Sequence, residues 1–453
     1  MQTTLGNLLF SSLISIAAAF NLYSAEDKNI NKSNERPHSA SADELPKYNN
    51  RDYFLGDEFG YRQKLHEAGI DLDASFTTEP AWNPTGGERQ SATTLHNFGL
   101  SAQFDLEPLI GLRNTTFTAT GSQRSGDSLA EEAIGSAISV QQIFGGGQTH
   151  RLVELRMQHK LFQERLELSY GRLSTTSDFL TSPFYCEFVT NGICGQPTSP
   201  FFNMSNGITA YPVAAWGAVA RFQTLTKETY SMFGVYDGGP VGQAGGNDHG
   251  VDFDFGDNGA LLISEVGYQP QKGFFGLPGR YSIGAFHHTG DFPHVAVDSG
   301  GGNLFLTNGI PREMSEQNGY YLIFEQMFHR TNPETNREIN GFLTAVVSPD
   351  EEKSPVPYFF NSGVIYQGLL PSRPNDQAAV GMYTAWFGSD LRDAQQAGDV
   401  PSQTYEAAVE LNYQVQMTPY SYIRPNIQYV VNPNGLSEVD DALVLGFELG
   451  ITL

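Results

Sequence analysis

Polar side chains recur at every second position along several stretches of this chain, opposite a face of apolar residues. They include carboxylates, guanidinium groups and carboxamides, which together donate and accept hydrogen bonds and carry charges of both signs. Groups of this kind can bind a polar solute weakly at several points, or their charges can pair with one another in water. The candidates for solute contact are Gln103, Glu154, Arg156, Gln158, Arg221, Glu325, Glu410, Asn412, Arg424, Asn426 and Gln428.

The chain shows no set of residues that would make it an enzyme or a metalloprotein. It lacks the GxSxG, HExxH and GKS/T patterns, and its carboxylates are too numerous to single out a glycosidase pair. His287 and His288 are neighbours in a predicted strand, so they point to opposite faces and do not favour a metal site with His294. The acidic stretch 247–258 lacks the spacing and the closing Glu of an EF-hand loop, which favours a solvated loop over a calcium site. We therefore predict no catalysis, no metal and no cofactor.

β-Strands are the elements that position these polar groups. Residues 405–415 alternate between apolar residues at odd positions and polar or small residues at even positions, and 423–431 and 443–453 largely repeat the pattern. No stretch after residue 25 approaches the roughly 18 consecutive apolar residues of a membrane helix. The predicted strands are 70–80, 94–106, 113–121, 150–161, 164–173, 211–223, 228–237, 259–269, 279–289, 318–329, 339–348, 357–368, 377–388, 403–416, 420–431 and 441–453.

The connections between these strands alternate in length. Those near 106–114, 160–164 and 417–419 are short, whereas the long ones are rich in Gly, Asp, Asn and Pro. Outer-membrane barrels have short periplasmic turns and long external loops, and sixteen strands close around an aqueous channel. We predict an all-β fold, a transmembrane antiparallel β-barrel of about sixteen strands with its apolar face toward lipid. The long connections are 122–149, 174–210, 238–258, 290–317 and 389–402.

The N-terminal region is predicted to precede the barrel. An apolar run followed by small residues predicts a signal peptide over residues 1–25, although the first seven residues carry no Lys or Arg and a buried helix is the alternative. Residues 26–52 have almost nothing to bury and are expected to form a flexible polar leader. An N-cap at Gly56–Asp57 and a stop at Gly69 predict one short helix at the start of the barrel domain, residues 53–453.

Cys186 and Cys194 are the only cysteines of the chain, and both lie in the predicted loop 174–210. In an exported protein such a nearby pair predicts a disulfide, since a metal site would need further ligands and the pair lacks the CxxC form. We expect the bond to shape an external or inward-folded loop near the mouth of the barrel.

Two other side chains each allow two interpretations. Trp82, at the end of the first strand, can stack on a solute or lie in the aromatic girdle at the lipid interface, and the girdle is favoured. Arg172 falls on the apolar face if alternation continues through Gly171, whereas a β-bulge there would turn it inward.

The chain is acidic, since 50 Asp and Glu residues against 26 Lys and Arg residues give a formal net charge of −24. This charge argues against nucleic acid as a partner. It would bias a pore toward cations if the carboxylates lay at its narrowest part.

Seven ordered segments, which together span about residues 53 to 453, resemble the carbohydrate-selective outer-membrane porins, the OprB-type family. The first segment is followed by Leu65 and by Gly69–Ile70, and the last by Asn432–Pro433. The segments are GDEFGYR (56–62), YPVAAWG (211–217), VYDG (235–238), EVGY (265–268), PGRYSIG (278–284), GVIYQG (363–368) and PNIQY (425–429).

The resemblance implies a sixteen-stranded barrel in the bacterial outer membrane that passes small carbohydrates by passive diffusion and catalyses nothing. Sugars carry hydroxyls that hydrogen-bond polar groups and C–H faces that stack on aromatic rings, so the predicted lumen suits them. Lipid and lipopolysaccharide would surround the barrel, as a monomer or a trimer. Chains of this family usually end in an aromatic residue, whereas this one ends in Leu453. The alternatives are a general cation-preferring porin and a secreted β-rich glycan-binding protein.

Overall fold

In the computed structural model, sixteen antiparallel strands form a closed barrel in which β1 pairs with β16. The structure describes residues 52–57, 60–195, 197–204, 207–223, 226–239, 249–251, 254–332 and 337–453. The predicted signal peptide and almost all of the predicted leader therefore lie outside the described residues. The strands are β1 (Ile70–Thr85), β2 (Ala92–Asp105), β3 (Thr115–Gly126), β4 (His150–Leu161), β5 (Leu166–Leu173), β6 (Ala215–Gln223), β7 (Thr229–Asp237), β8 (Ala260–Tyr268), β9 (Gly279–Asp298), β10 (Pro311–Asn332), β11 (Arg337–Val347), β12 (Tyr358–Gln367), β13 (Gln377–Trp386), β14 (Tyr405–Thr418), β15 (Ser421–Val431) and β16 (Ala442–Thr452).

Alternation along β14 shows which face of the sheet lies inside. The side chain of Glu410 is fully buried, whereas its neighbour Leu411 is 55% exposed. Their partners across the β14–β15 ladder follow them, since Gln428 is buried and Ile427 is exposed. The polar face therefore lies inside and the apolar face outside, which confirms the predicted barrel.

The hairpin of β9 and β10 corrects one predicted loop. The two strands continue to Asp298 and from Pro311, so most of the predicted connection 290–317 is strand. Phe292 still pairs with Met314 well beyond the predicted strand ends. Gly290 and Pro293 obscured this extension in the sequence, because both residue types are typical of turns.

The predicted N-terminal helix is present as Tyr61–Glu67, but it starts later than predicted. Gly60, with φ +76°, precedes it, and its N–H donates to the backbone oxygen of Asp57 (2.8 Å). The Asp57 carboxylate accepts from the N–H of Gln63 (3.2 Å), so Asp57 shapes the turn that leads into the helix.

Other helices lie in the connections, and the one over Ser389–Ala397 occupies most of the predicted loop 389–402. No helix within the described residues is long and apolar enough to cross a membrane. The remaining helices are Leu106–Ile110, Ala130–Ile134, Thr175–Asp178, Tyr185–Glu187, Ser199–Asn203, Phe274–Gly276, Leu304–Thr307 and Pro433–Gly435.

Two long connections fold into the barrel and pack against its inner wall. We call residues 127–149 the first inner loop and the described residues of 174–214 the second inner loop. Ile138 of the first and Phe179 of the second belong to one buried apolar cluster that also contains inward-facing side chains of the strands. The two loops meet where the N–H of Asn191 donates to the backbone oxygen of Ser139 (2.9 Å). The inner loops therefore form a packed core with the inner face of the barrel.

Candidate functional site

Carboxylates on β14 hold both inner loops against the barrel wall. Glu406 accepts hydrogen bonds from the backbone N–H groups of Ala137 (2.7 Å) and Ile138 (3.1 Å) in the first inner loop. Glu410 accepts one from the N–H of Thr190 (2.7 Å) in the second inner loop. Both carboxylates are fully buried. Because a buried carboxylate without donors is strongly destabilising, these bonds fix the loops and the carboxylates together.

Arg424 on β15 contacts the second inner loop beside its cysteine pair. Its Nη1 donates to the backbone oxygen of Cys186 (2.9 Å) and to Oε1 of Glu448 (3.1 Å). Its Nη2 forms an ion pair with Oε2 of Glu187 (3.2 Å), and Asn412 Nδ2 donates to the backbone oxygen of Glu187 (2.9 Å). Arg424 and Asn412 thus anchor one short segment of the loop through both its backbone and its side chain.

That segment is closed by a disulfide between Cys186 and Cys194, with an S–S distance of 2.06 Å, which confirms the predicted bond. Phe188 inside the closed segment is fully buried. Just before the disulfide, the hydroxyl of Tyr185 shares a hydrogen bond with Thr344 Oγ1 on β11 (2.5 Å). Burial raises the pKa of the Tyr185 phenol. The disulfide therefore lies inside the barrel, on an inward-folded loop.

Three further candidates also bind the inner loops or each other. Glu325 Oε2 accepts from Nε of Arg280 (3.0 Å), and Arg280 donates in turn to a backbone oxygen of the second inner loop. Gln428 Nε2 donates to the backbone oxygen of Val140 (2.8 Å) and to Oδ1 of Asn426 (3.1 Å). All of these candidates on β10 and β15 are at most 5% exposed.

Glu154 and Arg156 on β4 meet the second inner loop on the other side of the barrel. Arg156 donates to both carboxylate oxygens of Asp178, at 2.9 Å each, and its Nη2 lies 3.4 Å from Oε1 of Glu154. Glu154 Oε1 also accepts from the N–H of Ser174 (2.8 Å). The side chains of Arg156, Glu154 and Asp178 keep 13–14% of their surface exposed, so this cluster borders open space.

Gln103, Gln158 and Arg221 are half-buried on β2, β4 and β6. The guanidinium carbon of Arg221 lies 4.2 Å from the centre of the Tyr230 ring, close enough for a cation–π contact. Its Nη1 lies 3.3 Å from the sulfur of Met232. Neither contact neutralises the Arg221 charge.

The eleven predicted contact residues all lie on the inner face, and the structure divides them into two sets. The covered set lies beneath the inner loops, and the open set borders accessible space. The sequence showed the polar face but not the loops that cover part of it. Glu406 escaped prediction, although it lies on the same face as Glu410. The covered set is Glu325, Glu410, Asn412, Arg424, Asn426 and Gln428, and the open set is Gln103, Glu154, Arg156, Gln158 and Arg221.

The two residues with open interpretations both belong to the outer face. Trp82 is 48% exposed and pairs with Leu445, whose face points outward, as the girdle interpretation expects. Arg172 pairs with Leu155 in an uninterrupted ladder, so no bulge turns it inward. Its guanidinium is nevertheless buried, because Nη1 donates to the backbone oxygen of Gly250 (2.5 Å) in an external connection.

The histidines bind protein groups. His287 Nδ1 shares a hydrogen bond with Asn318 Oδ1 (2.8 Å), and His288 Nε2 donates to the backbone oxygen of Gly238 (2.7 Å). Over the described part of the chain, no three His, Cys, Asp or Glu side chains are grouped as metal ligands would be. Four residues of the acidic stretch 247–258, including Asn247, Asp248 and Asp252, lie outside the described residues.

Comparison with known proteins places these features in one family. Residues 89–453 match the family model described as carbohydrate-selective porin, OprB family. The chain is 29% identical over 421 residues to Porin B of Pseudomonas aeruginosa, which covers 88% of the chain and 91% of that relative. It is 30% identical over 427 residues to the putative porin QuiX of Acinetobacter baylyi, covering 88% and 92%. The structure of Pseudomonas putida OprB at high pH matches 89% of this chain and 98% of its own, with a TM-score of 0.82 and 26% identity.

Proposed function

We propose a path for sugars through this chain, which belongs to the carbohydrate-selective porin family and is a sugar-preferring diffusion channel of the bacterial outer membrane. In this proposal, sugars cross the channel beside the barrel wall formed by β2 to β6. The observation that supports this path is the unequal cover of the inner face. Asn361 and Glu410 are completely buried beneath the inner loops. Gln103, Gln158 and Arg221 across the lumen remain half-exposed. Water therefore reaches this second group, and this is the side on which we place the path of the sugar.

The positions and hydrogen-bond partners of the carboxylates support a preference for sugars over cations. Glu410 directs its charge at backbone N–H groups of a loop, away from the open side. On the open side Arg156 faces Glu154 and Asp178, while Arg221 adds a positive charge. A lining of mixed sign suits hydroxyls, which accept and donate hydrogen bonds. The general cation-preferring porin remains the second candidate, and the net charge of −24 is the observation that favours it.

Passage is passive in this proposal, and the chain catalyses nothing. The β1–β16 ladder closes the barrel, so one chain encloses a complete path whether it is a monomer or part of a trimer. Exposed apolar side chains such as Leu411 and Ile427 face lipid and, in the outer leaflet, lipopolysaccharide. The covered set of polar residues acts mainly by positioning the inner loops, and the open set contacts the sugar.

Liposome swelling tests this proposal. The rates for glucose, a disaccharide and glutamine are compared at low and high salt. We expect the wild type to pass glucose faster than glutamine, with weak salt dependence, because hydroxyl contacts are screened less than free charges. Arg221→Ala removes one charged contact and should lower the glucose rate about two- to tenfold. Arg392→Ala in the external helix is the matched control. Rates that follow solute size alone, and that are equal in both variants, would favour the general porin.

A further inference from the structure

Neutral hydroxyl and amide groups form a continuous surface on the open side of the lumen. Ser101 and Gln103 on β2 and Thr116, Thr118 and Thr120 on β3 make up this surface, which we call the neutral wall. Ser101 pairs with Thr120 and Gln103 with Thr118, so their side chains share one face of the sheet. All five side chains are half-buried, in contrast to the fully covered polar residues of β12 and β14.

Strand register places the neutral wall inside the barrel. On its other edge Thr118 pairs with Arg156 and Thr120 with Glu154. Arg156 binds Asp178 of the second inner loop, which occupies the lumen. Residues paired directly across a ladder point to the same side, so the threonines face the same space as Arg156.

The hydrogen-bonding groups of the neutral wall are available to a solute. Within the described residues, no hydrogen bond joins any of its five side chains to another protein group. Glu154 and Arg156 differ, since they bind each other and the second inner loop. Half-exposed polar groups without a protein partner are hydrated, and a sugar hydroxyl can replace such a water with a hydrogen bond of similar enthalpy.

An aromatic ring stands at the external end of the neutral wall. Tyr211 of the second inner loop is 39% exposed. Its hydroxyl lies close to Gly99, the inward-facing position two residues before Ser101 on β2. A Cβ atom built at Gly99 would be 3.7 Å from this hydroxyl. The guanidinium carbon of Arg124 lies 5.4 Å from the centre of the Tyr211 ring and supports the ring from one side. An exposed ring in this position can stack on the C–H face of a sugar.

We propose that the neutral wall, with Tyr211 as its stacking surface, selects neutral sugars over ions and zwitterions; this inference rests on the path proposed above. Threonine, serine and glutamine side chains donate and accept hydrogen bonds without a net charge. They match the adjacent hydroxyls of a sugar ring, but they compensate an ion poorly for the hydration that it loses. Inward positions on one strand repeat about every 6.6–6.8 Å, so the wall offers a series of weak contacts that allow entry and release.

The test removes hydroxyls while keeping side-chain size and strand propensity. The double variant Thr118→Val/Thr120→Val is compared with Thr118→Ser/Thr120→Ser, which retains both hydroxyls, and with Thr78→Val. Thr78 on β1 is the matched control because it points outward, as the neighbour of the inward-facing Glu79. Its hydroxyl donates to the backbone oxygen of Leu95 (3.1 Å). For each variant, gel migration is compared before and after boiling. A boiled sample that migrates more slowly than the unboiled sample shows that the barrel was folded before it was boiled. The readouts are the glucose-to-glutamine ratio of swelling rates and the single-channel conductance in potassium chloride.

We expect the valine pair to lower the glucose-to-glutamine ratio about three- to tenfold, with conductance unchanged, because two neutral hydrogen bonds are lost. The serine pair and Thr78→Val should keep the wild-type ratio. If the wild type prefers glucose and the valine pair keeps that preference, the neutral wall is not the selective surface, although the sugar channel stands. If the wild type shows no preference for glucose, both the neutral wall and the sugar-selective path are refuted.

Discussion

Replacing Glu410 by glutamine should release the second inner loop without opening the barrel wall. The Glu410 carboxylate accepts hydrogen bonds from the N–H groups of Val189 (2.9 Å) and Thr190 (2.7 Å), and a third from Asn412 Nδ2 (2.7 Å). In Glu410→Gln one carboxylate oxygen becomes an NH₂ group, which cannot accept. At least one of these three donors then loses an acceptor, while the remaining bonds lose their charge. The β14 ladder itself does not depend on this side chain.

The size of the effect follows from the kind of bond that is lost. A hydrogen bond to a charged group contributes about 1.5–3 kcal/mol, and a buried donor left unpaired costs a similar amount. About 3 kcal/mol would raise the population of the locally detached loop roughly 100-fold, since about 1.4 kcal/mol changes an equilibrium tenfold. Because the disulfide and Arg424 still hold the neighbouring residues, the release should be confined to the loop.

Amide hydrogen exchange measures this release directly. Exchange at Val189 and Thr190 should accelerate by one to two orders of magnitude, while exchange in the β14 ladder stays slow. Glu265→Gln is the matched control, because Glu265 is also a buried inward carboxylate but binds the hydroxyls of Tyr230 (2.6 Å) and Tyr321 (2.9 Å) on strands. Equal protection of the two loop amides in both variants would show that Glu410 does not anchor the loop.

Two further predictions concern the connections between strands, one of them the disulfide of the second inner loop and the other the helix Ser389–Ala397. Thiol labelling of the unfolded, unreduced protein should find neither Cys186 nor Cys194 free, and two labelled thiols would disprove the bond. Replacing both cysteines by serine removes the disulfide and should destabilise the second inner loop by about 2–3 kcal/mol. Hydrogen bonds from the Ser389 hydroxyl (2.6 Å) and N–H (2.7 Å) hold the pKa of Glu351 below its usual value. Glu351 therefore stabilises the helix Ser389–Ala397 fully at pH values above the pKa that Glu351 has in the unfolded chain. This stabilisation is lost as the pH falls through the lower pKa that Glu351 has in the folded protein. Limited proteolysis of this helix should increase at acidic pH in the wild type, and in Glu351→Gln it should lose that pH dependence.

Period-two alternation sufficed to predict the barrel because strand geometry turns it into an inside and an outside. β14 to β16 show it most clearly, and all sixteen predicted strands are present. Prediction was wrong where residues typical of turns occur within a strand, as at Gly290 and Pro293 in the long β9. The helix over Ser389–Ala397 was missed because a loop prediction rests on composition, which short external helices share.

The site was harder to predict because a polar face has the same pattern whether it meets water or a folded loop. Glu410 and Gln103 looked equivalent in sequence, yet Glu410 is covered and Gln103 is accessible. What distinguishes them is the conformation of the inner loops, which depends on contacts between residues more than two hundred positions apart, such as Thr190 and Glu410. No local pattern encodes such contacts. The sequence does not single out the threonines of β3, because threonine is common in strands and carries neither a charge nor an amide group.

The division of the inner face also explains how an acidic chain can serve neutral solutes. A lumen lined all round by exposed carboxylates would concentrate cations. Here the carboxylates of β14 lie under the inner loops and are directed at backbone donors. On the open side, Glu154 and Asp178 face Arg156, next to a wall of uncharged hydroxyls. On the path proposed above, the inner loops therefore keep acidic groups of β14 away from the solute, so that the position and the chemistry of the path depend on the same contacts.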